Sequence, residues 1–477
     1  MNRALNHPPK GAAAPNAAAN APRTGAAVRS AARTKLLLDG PIGPTLARLA
    51  FPNVLSMLVM AIYSISEAYF AGRLGVEALA GLALVYPLAM FTQMLSGGSF
   101  GGSMAAAVAR ALGRGDTTAA ARLVFAAWGI AIGVAVLSAV LMAVLGAPIF
   151  RLLGGQGGAL DAALGYAAIY FPLCIAIWLA NASFSLMRGT GDMLTPSLVL
   201  TAVCAVSVPL SGALSLGWGP FPGLGIAGLA LGQTSAFGVG ALFSVLYVLS
   251  GRTGLNLAGA LRGVTRAHVR EILRVGLMAS LSPVQTVLTV VVMVGLVGRF
   301  GAEALAGYGL GARLEFLMVP VAFGIGTAMT AMVGANIGAG HRARALRIAW
   351  TGTFGAAAIV GAIGLLVALM PDLWLGLFLD PAASGAWKAG RAYLHIVGPV
   401  YAFFALGLAL YFASQGAGHV AWPVIAGFAR LIVAFGGAAL LVATTSMGVT
   451  GIFAAIAAGM LTYGVITAVA VRLTGWR

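Results

Sequence analysis

Gly72-Arg73-Leu74-Gly75-Val76-Glu77-Ala78-Leu79-Ala80-Gly81 returns 226 residues later as Gly298-Arg299-Phe300-Gly301-Ala302-Glu303-Ala304-Leu305-Ala306-Gly307, with eight of ten positions identical. The spacing holds elsewhere. Gly113-x-Gly115 returns as Gly338-x-Gly340, and Arg122 as Arg347. Tyr166 and Pro172 return as Tyr393 and Pro399. Arg188-Gly189-Thr190-Gly191 with Pro196 returns as Gln415-Gly416-Ala417-Gly418 with Pro423. Four sites at offsets of 225 to 227 make the chain a duplicated unit.

Each copy holds six apolar runs. They cover about 45–71, 79–107, 121–146, 160–187, 196–216 and 225–250, then 272–298, 304–336, 348–370, 389–414, 422–444 and 449–471. Runs of this length cross a bilayer, and in lipid they must be helical because every backbone polar group has to be satisfied internally. Composition agrees. Of 477 residues, 60% are apolar and only 8% charged, and the mean hydropathy is +0.98. A soluble domain of this length carries about a quarter charged residues, so a cytosolic enzyme, a disulfide scaffold and a disordered chain are excluded. Six spans are an even number, so both copies enter the membrane from the same side. The expectation is an all-α polytopic membrane protein of 12 transmembrane helices, arranged as two parallel-repeat six-helix lobes around a central cleft.

The net charge of +17 follows from topology rather than from nucleic-acid binding, since no basic patch is interleaved with aromatics. Arg110, Arg114 and Arg122, then Arg252 to Arg274, then Arg342, Arg344 and Arg347 crowd alternate loops, whereas the intervening ones hold only Arg73, Arg151, Arg299, Lys388 and Arg391. This bias puts both termini in the cytoplasm of a cell whose inner (plasma) membrane the chain spans. Residues 1–40 read as a disordered cytoplasmic tail in preference to a transit peptide. Residues 41–251 form the N-lobe, 252–271 a cytoplasmic inter-lobe linker and 272–477 the C-lobe.

Only two of the eleven acids, Glu67 and Glu315, lie inside spans. Inserting a carboxylate costs at least about 2.5 kcal/mol, and such a group usually marks an ion or substrate path. Glu67 sits one turn after Tyr63, so i, i+4 spacing places phenol and carboxyl on one face. A carboxylate held there binds a proton or a cation but not both well, which is the minimum chemistry of antiport. The competing reading has Glu67 snorkelling toward Arg73. Glu315 follows Arg313 by two residues and reads equally well as an interhelical anchor or a coupling group. His395 is the one histidine well inside a span, and is more often packing than relay. Asn181, Ser207, Ser211, Gln233 and Gln285 are candidate cleft-lining groups, although serine in membrane helices commonly bonds its own backbone. Arg430, mid-span, needs a partner or water. The glycine-rich run Ser96–Ser103 lacks the Lys-Ser/Thr of a phosphate loop and reads as close packing or a flexible break. Cys174 and Cys204 form no metal or disulfide pattern. No catalytic constellation, metal site or cofactor is expected.

Several motifs together resemble the multidrug and toxic compound extrusion (MATE) family. They are Tyr63-x-x-x-Glu67 before Gly72-Arg73-Leu74-Gly75, Arg188-Gly189-Thr190-Gly191-Asp192 with Thr195-Pro196, Arg313-Leu314-Glu315, and Gly334-Ala335-Asn336-Ile337-Gly338-Ala339-Gly340. The resemblance covers about residues 40–475. It implies a secondary antiporter that exports organic cations or other small amphipathic compounds against H⁺ or Na⁺, acting as a monomer in the lipid bilayer. It places Glu67 at the family's first-helix coupling carboxylate, as in the DinF-like branch. The family usually has Asp there, and its proton-coupled branch often carries Asn-x-x-x-Asp-Pro in the fifth helix, where this chain has Ser207, Ser211 and Gly212. The branch with acids in helices seven and ten is not matched either, because helix ten offers only His395. The alternatives are a lipid-linked glycan flippase, which would need more basic residues in the cleft than Arg430, and a membrane-embedded enzyme or receptor.

Overall fold

A computed structural model describes residues 25–379 and 384–476. It is helical throughout, and among the described residues there is no strand. A first helix, α1 (Gly25–Asp39), precedes twelve helices long and apolar enough to cross a membrane. These are α2 (Ile42–Leu74), α3 (Val76–Gly113), α4 (Thr117–Leu152), α5 (Gly157–Gly189), α6 (Leu194–Leu216) and α7 (Ile226–Leu249) in the N-lobe. The C-lobe has α8 (Arg266–Gly298), α9 (Ala302–Gly338), α10 (Arg342–Leu369), α11 (Gly385–Ala417), α12 (Ala421–Thr444) and α13 (Val449–Thr474). The expected twelve-helix, two-lobe architecture is what the chain forms.

Two boundaries differ from the sequence reading. Part of the supposed disordered tail is helix α1, which docks because Leu37 buries itself and Arg33 pairs with Asp192 at 3.0 Å. Residues 1–24 of that tail lie outside the described residues. The inter-lobe linker also ends early. Thr265 and His268 form a capping box that starts α8 at Arg266, six residues inside the expected 252–271.

The duplication is visible in the packing. In each lobe the short loop after its first helix turns on a glycine in the left-handed φ range, Gly75 and Gly301. Gly81 packs against Ala162 and Ala163 of α5, and its counterpart Gly307 against Ala389 and Gly390 of α11. Small residues at such crossings let helices approach where larger ones would hold them apart.

The lobes meet at the arginine-rich end, where α1 begins and α13 finishes. The contact is reciprocal. A Cβ added to Gly113 of α3 would lie 2.0 Å from the Ala335 carbonyl of α9, and one added to Gly338 would lie 2.1 Å from the Arg110 carbonyl of α3. Residues 110 and 335 are themselves repeat equivalents, so a quasi-two-fold axis passes between the two contacts. Arg110 then donates to the Gly416 carbonyl at 3.0 Å and pairs with Glu271 at 3.2 Å. The far half of α3, Val76–Gln93, makes little contact with the C-lobe. The two lobes are therefore sealed at one end and diverge toward the other.

The glycine-rich run explains part of this seal. Met94–Phe100 is a π-helical stretch inside α3, and Gly101 and Gly102 just after it pack closely on Ser185 and Gln415, as the close-packing reading expected. The wider turn leaves carbonyls free for other partners. Gln415 of the C-lobe takes those of Gly98 and Ser99, at 3.1 and 2.9 Å.

Candidate functional site

Glu67 is buried within the N-lobe at 6% exposure. It does not snorkel, since Arg73 instead donates to Tyr69 Oη at 3.3 Å. Its partner is Tyr166 of α5, whose Oη lies 2.6 Å from Glu67 Oε1. The same phenol oxygen is 3.0 Å from Gln233 Oε1 of α7. Three helices thus converge on one hydroxyl.

That hydroxyl has a single proton for two acceptors. With Glu67 ionised, the phenol donates to the carboxylate and the Gln233 amide must turn to donate to Oη. With Glu67 protonated, the acid can donate to Oη, and the phenol proton swings to the Gln233 carbonyl. The chain Glu67–Tyr166–Gln233 therefore accommodates both protonation states by reversing hydrogen-bond direction, with no helix movement required.

Tyr63 is buried beside Glu67 and Ser207 and interacts with both, although its Oη makes no hydrogen bond of standard geometry among the described residues, so Tyr166 is the closer donor to the carboxyl. Ser211 is also not a substitute for a second acid. It reaches the Leu229 carbonyl at 3.4 Å and packs against Gly232, which makes it a contact between α6 and α7.

The C-lobe repeats the arrangement with one change. Tyr393, the repeat equivalent of Tyr166, donates to Glu315 of α9. Tyr308 stands at 5.5 Å, edge to face, from the Tyr393 ring. The two tyrosines occupy equivalent positions, but their carboxylates arrive from non-equivalent helices. The place equivalent to Glu67 is Met293, and that equivalent to Glu315 is Ala89. Glu315 thus accepts a hydrogen bond from α11 within its lobe, a contact that both the anchor and the coupling reading allow.

The remaining candidates scatter. Asn181 donates to Gln93 and Ser96, both at 2.9 Å, and steadies the π-helical stretch. Gln285 donates to the Val424 carbonyl at 3.0 Å, tying α8 to α12. His395 is exposed and roughly opposite Tyr393 on its helix, so it does not join the Glu315 cluster. Tyr166 was visible in the sequence only as a repeat match. Its pairing with a helix-borne acid needed the third dimension, although a polar residue kept in both copies was the available signal.

The profile of the MatE family matches residues 52–211 and 280–440, once in each lobe. The chain belongs to the MatE family. Among its MATE relatives, a probable multidrug resistance protein NorM of Deinococcus radiodurans is 28% identical over 443 residues, 88% of this chain and 92% of that protein. A FAD transporter of Shewanella oneidensis is 26% identical over 312 residues, 65% of this chain and 68% of that one. Among solved structures, a MOP superfamily transporter from Pyrococcus furiosus superposes with a TM-score of 0.85 at 22% identity, covering 93% of this chain and 97% of the other. An outward-facing MATE family transporter gives 0.84 at 22% identity, with 92% and 97% covered. The fold is that of MATE transporters, and the protein is a multi-pass membrane protein.

Proposed function

We propose that the protein is a secondary antiporter that exports organic cations or related amphipathic compounds in exchange for H⁺ or Na⁺, with Glu67 as the coupling carboxylate. The observation that carries this reading is a buried carboxyl within a transmembrane lobe whose nearest hydroxyl partner, Tyr166, can serve both its charged and its neutral form. Multidrug resistance proteins among the relatives support the substrate class. The first-helix carboxylate fits the DinF-like branch, from which the chain departs in lacking a fifth-helix acid.

With the arginine-rich end in the cytoplasm, the sealed lobes correspond to a cleft open to the outside. Loading the ion at Glu67 from that side and releasing it after the lobes rock would drive export by alternating access. If net charge moves, the membrane potential adds about 2.3 kcal/mol per charge per 100 mV.

Purified protein in proteoliposomes loaded with ethidium tests this. Efflux driven by an imposed pH gradient or by a Na⁺ gradient names the ion. Absence of efflux for any organic cation by well-folded protein overturns the reading and favours a lipid-linked substrate.

The hydrogen-bond chain makes a second prediction. Tyr166→Phe strands two buried acceptors and should slow gradient-driven efflux about tenfold and move its pH profile. Tyr63→Phe removes a hydroxyl held more loosely beside Glu67 and should slow efflux by no more than about twofold to threefold. Equal effects of the two would remove Tyr166 from the mechanism.

A further inference from the structure

Arg430 lies nine residues into α12, about 14 Å along the helix and well inside the span. A guanidinium keeps its charge in any protein environment, and one placed at this depth needs compensation. Part comes from Phe404 of α11, whose ring centre is 5.0 Å from Arg430 Cζ. No acid pairs with it directly. Among the described residues no carboxylate lies within 4 Å of Arg430, and Glu315, the carboxyl in its electrostatic reach, is held by Tyr393.

The N–H groups of Arg430 make no hydrogen bond to the described residues and are not buried orphans. The residue is half-exposed. One face of the guanidinium rests on an aromatic ring, and its hydrogen-bonding edge is open. Behind Phe404 the lobe is aromatic and packed, with Tyr463 6.3 Å from Phe404 and Tyr308 close to the same charge, both buried. Arg313, also mid-span and exposed, has no ion pair among the described residues and adds a second positive charge to this lobe.

We propose that the C-lobe holds a subsite for an aromatic anion, in which Arg430, presented on Phe404, grips a phosphate or carboxylate carried by a planar ring. A guanidinium fork matches either group bidentately, and its planar face stacks on aromatic rings. The subsite deepens the export reading and rests on it for its place in transport. Binding itself can be measured without transport.

Full-length protein in detergent micelles is titrated with flavin mononucleotide and with riboflavin, two probes that differ by one phosphate, and flavin fluorescence is followed. The wild type should bind the phosphorylated probe at least about tenfold more tightly. Arg430→Gln should erase that preference, and Arg430→Lys should keep part of it, because a point charge lacks the fork. Circular dichroism and size-exclusion profiles of Arg430→Gln that match wild type separate lost recognition from lost folding. A wild type that binds both flavins equally overturns the proposal, as does a preference that survives Arg430→Gln. If Arg430→Gln does not fold, the wild-type preference and its weakening in Arg430→Lys decide in its place. Failure of wild-type ethidium efflux would instead overturn the export reading and leave the binding result standing.

Discussion

Glu67→Gln should fold, bind ethidium and show no gradient-driven efflux above that of protein-free liposomes. The amide is nearly isosteric and keeps an acceptor for Tyr166 Oη, now 2.6 Å from Glu67 Oε1, so the N-lobe retains its packing. What disappears is the group that takes up and releases a cation. Glu67→Asp makes the complementary case. Withdrawing the carboxyl by one bond, about 1.5 Å, stretches the contact with Tyr166 to about 4 Å, beyond hydrogen bonding. Efflux should persist about tenfold more slowly, limited by a carboxylate that has lost its donor. Both variants are compared with wild type in the same proteoliposomes under whichever gradient drives the wild type. Full efflux in Glu67→Gln would move coupling out of the N-lobe, with Glu315 the first residue to test.

Gly338→Leu should unseal the arginine-rich end. The atom facing Gly338 is the Arg110 carbonyl oxygen, 2.1 Å from an added Cβ, so no flexible side chain can yield. The helices must separate by about 1 Å or more to restore ordinary contact. Packed interfaces of this kind switch between discrete arrangements and do not stretch continuously. The expected outcome is a population shifted to the state open at this end, with efflux strongly reduced. Spin labels at Arg114 and His341, both exposed and on opposite lobes, read the separation once the buried Cys174 and Cys204 are replaced by serine. The mean label distance should lengthen by several ångströms in Gly338→Leu. It should be unchanged in Gly355→Leu, where nothing stands within 4 Å of the added carbon. An unaltered distance and normal efflux in Gly338→Leu would show that the glycine contact does not govern opening.

The repeat and the apolar runs made the architecture legible, because in a bilayer composition and length leave the backbone one solution. Glu67 was legible for a related reason. A carboxylate in a span is expensive wherever it points, so its cost is visible without a structure. Its partner was not. Helical spacing proposes neighbours within one helix, and it nominated Tyr63, whereas the closer donor is Tyr166, 99 residues away on α5. Polar residues such as Gln285 and Ser211 illustrate the same limit. In the sequence they look like cleft lining, but their bonds to the Val424 and Leu229 carbonyls show them joining neighbouring helices. The tail misled for a different reason. An alanine-rich, arginine-bearing stretch becomes a helix only when it finds a surface, and the surface for α1 is made of residues more than 150 positions away.

Helix α1 ties the two lobes together at their seal. Arg33 holds Asp192 of the N-lobe, while the Leu37 and Gly40 carbonyls accept from Asn336 and Arg344 of the C-lobe. When that end opens, α1 cannot follow both sides, and one set of bonds has to break. In the proposed exchange cycle this acts as a brake on idling. A carrier that flips while empty squanders the ion gradient without moving cargo, and each bond spanning the seam makes such a slip rarer. The same bonds must break on every productive turn, so thrift is bought with speed.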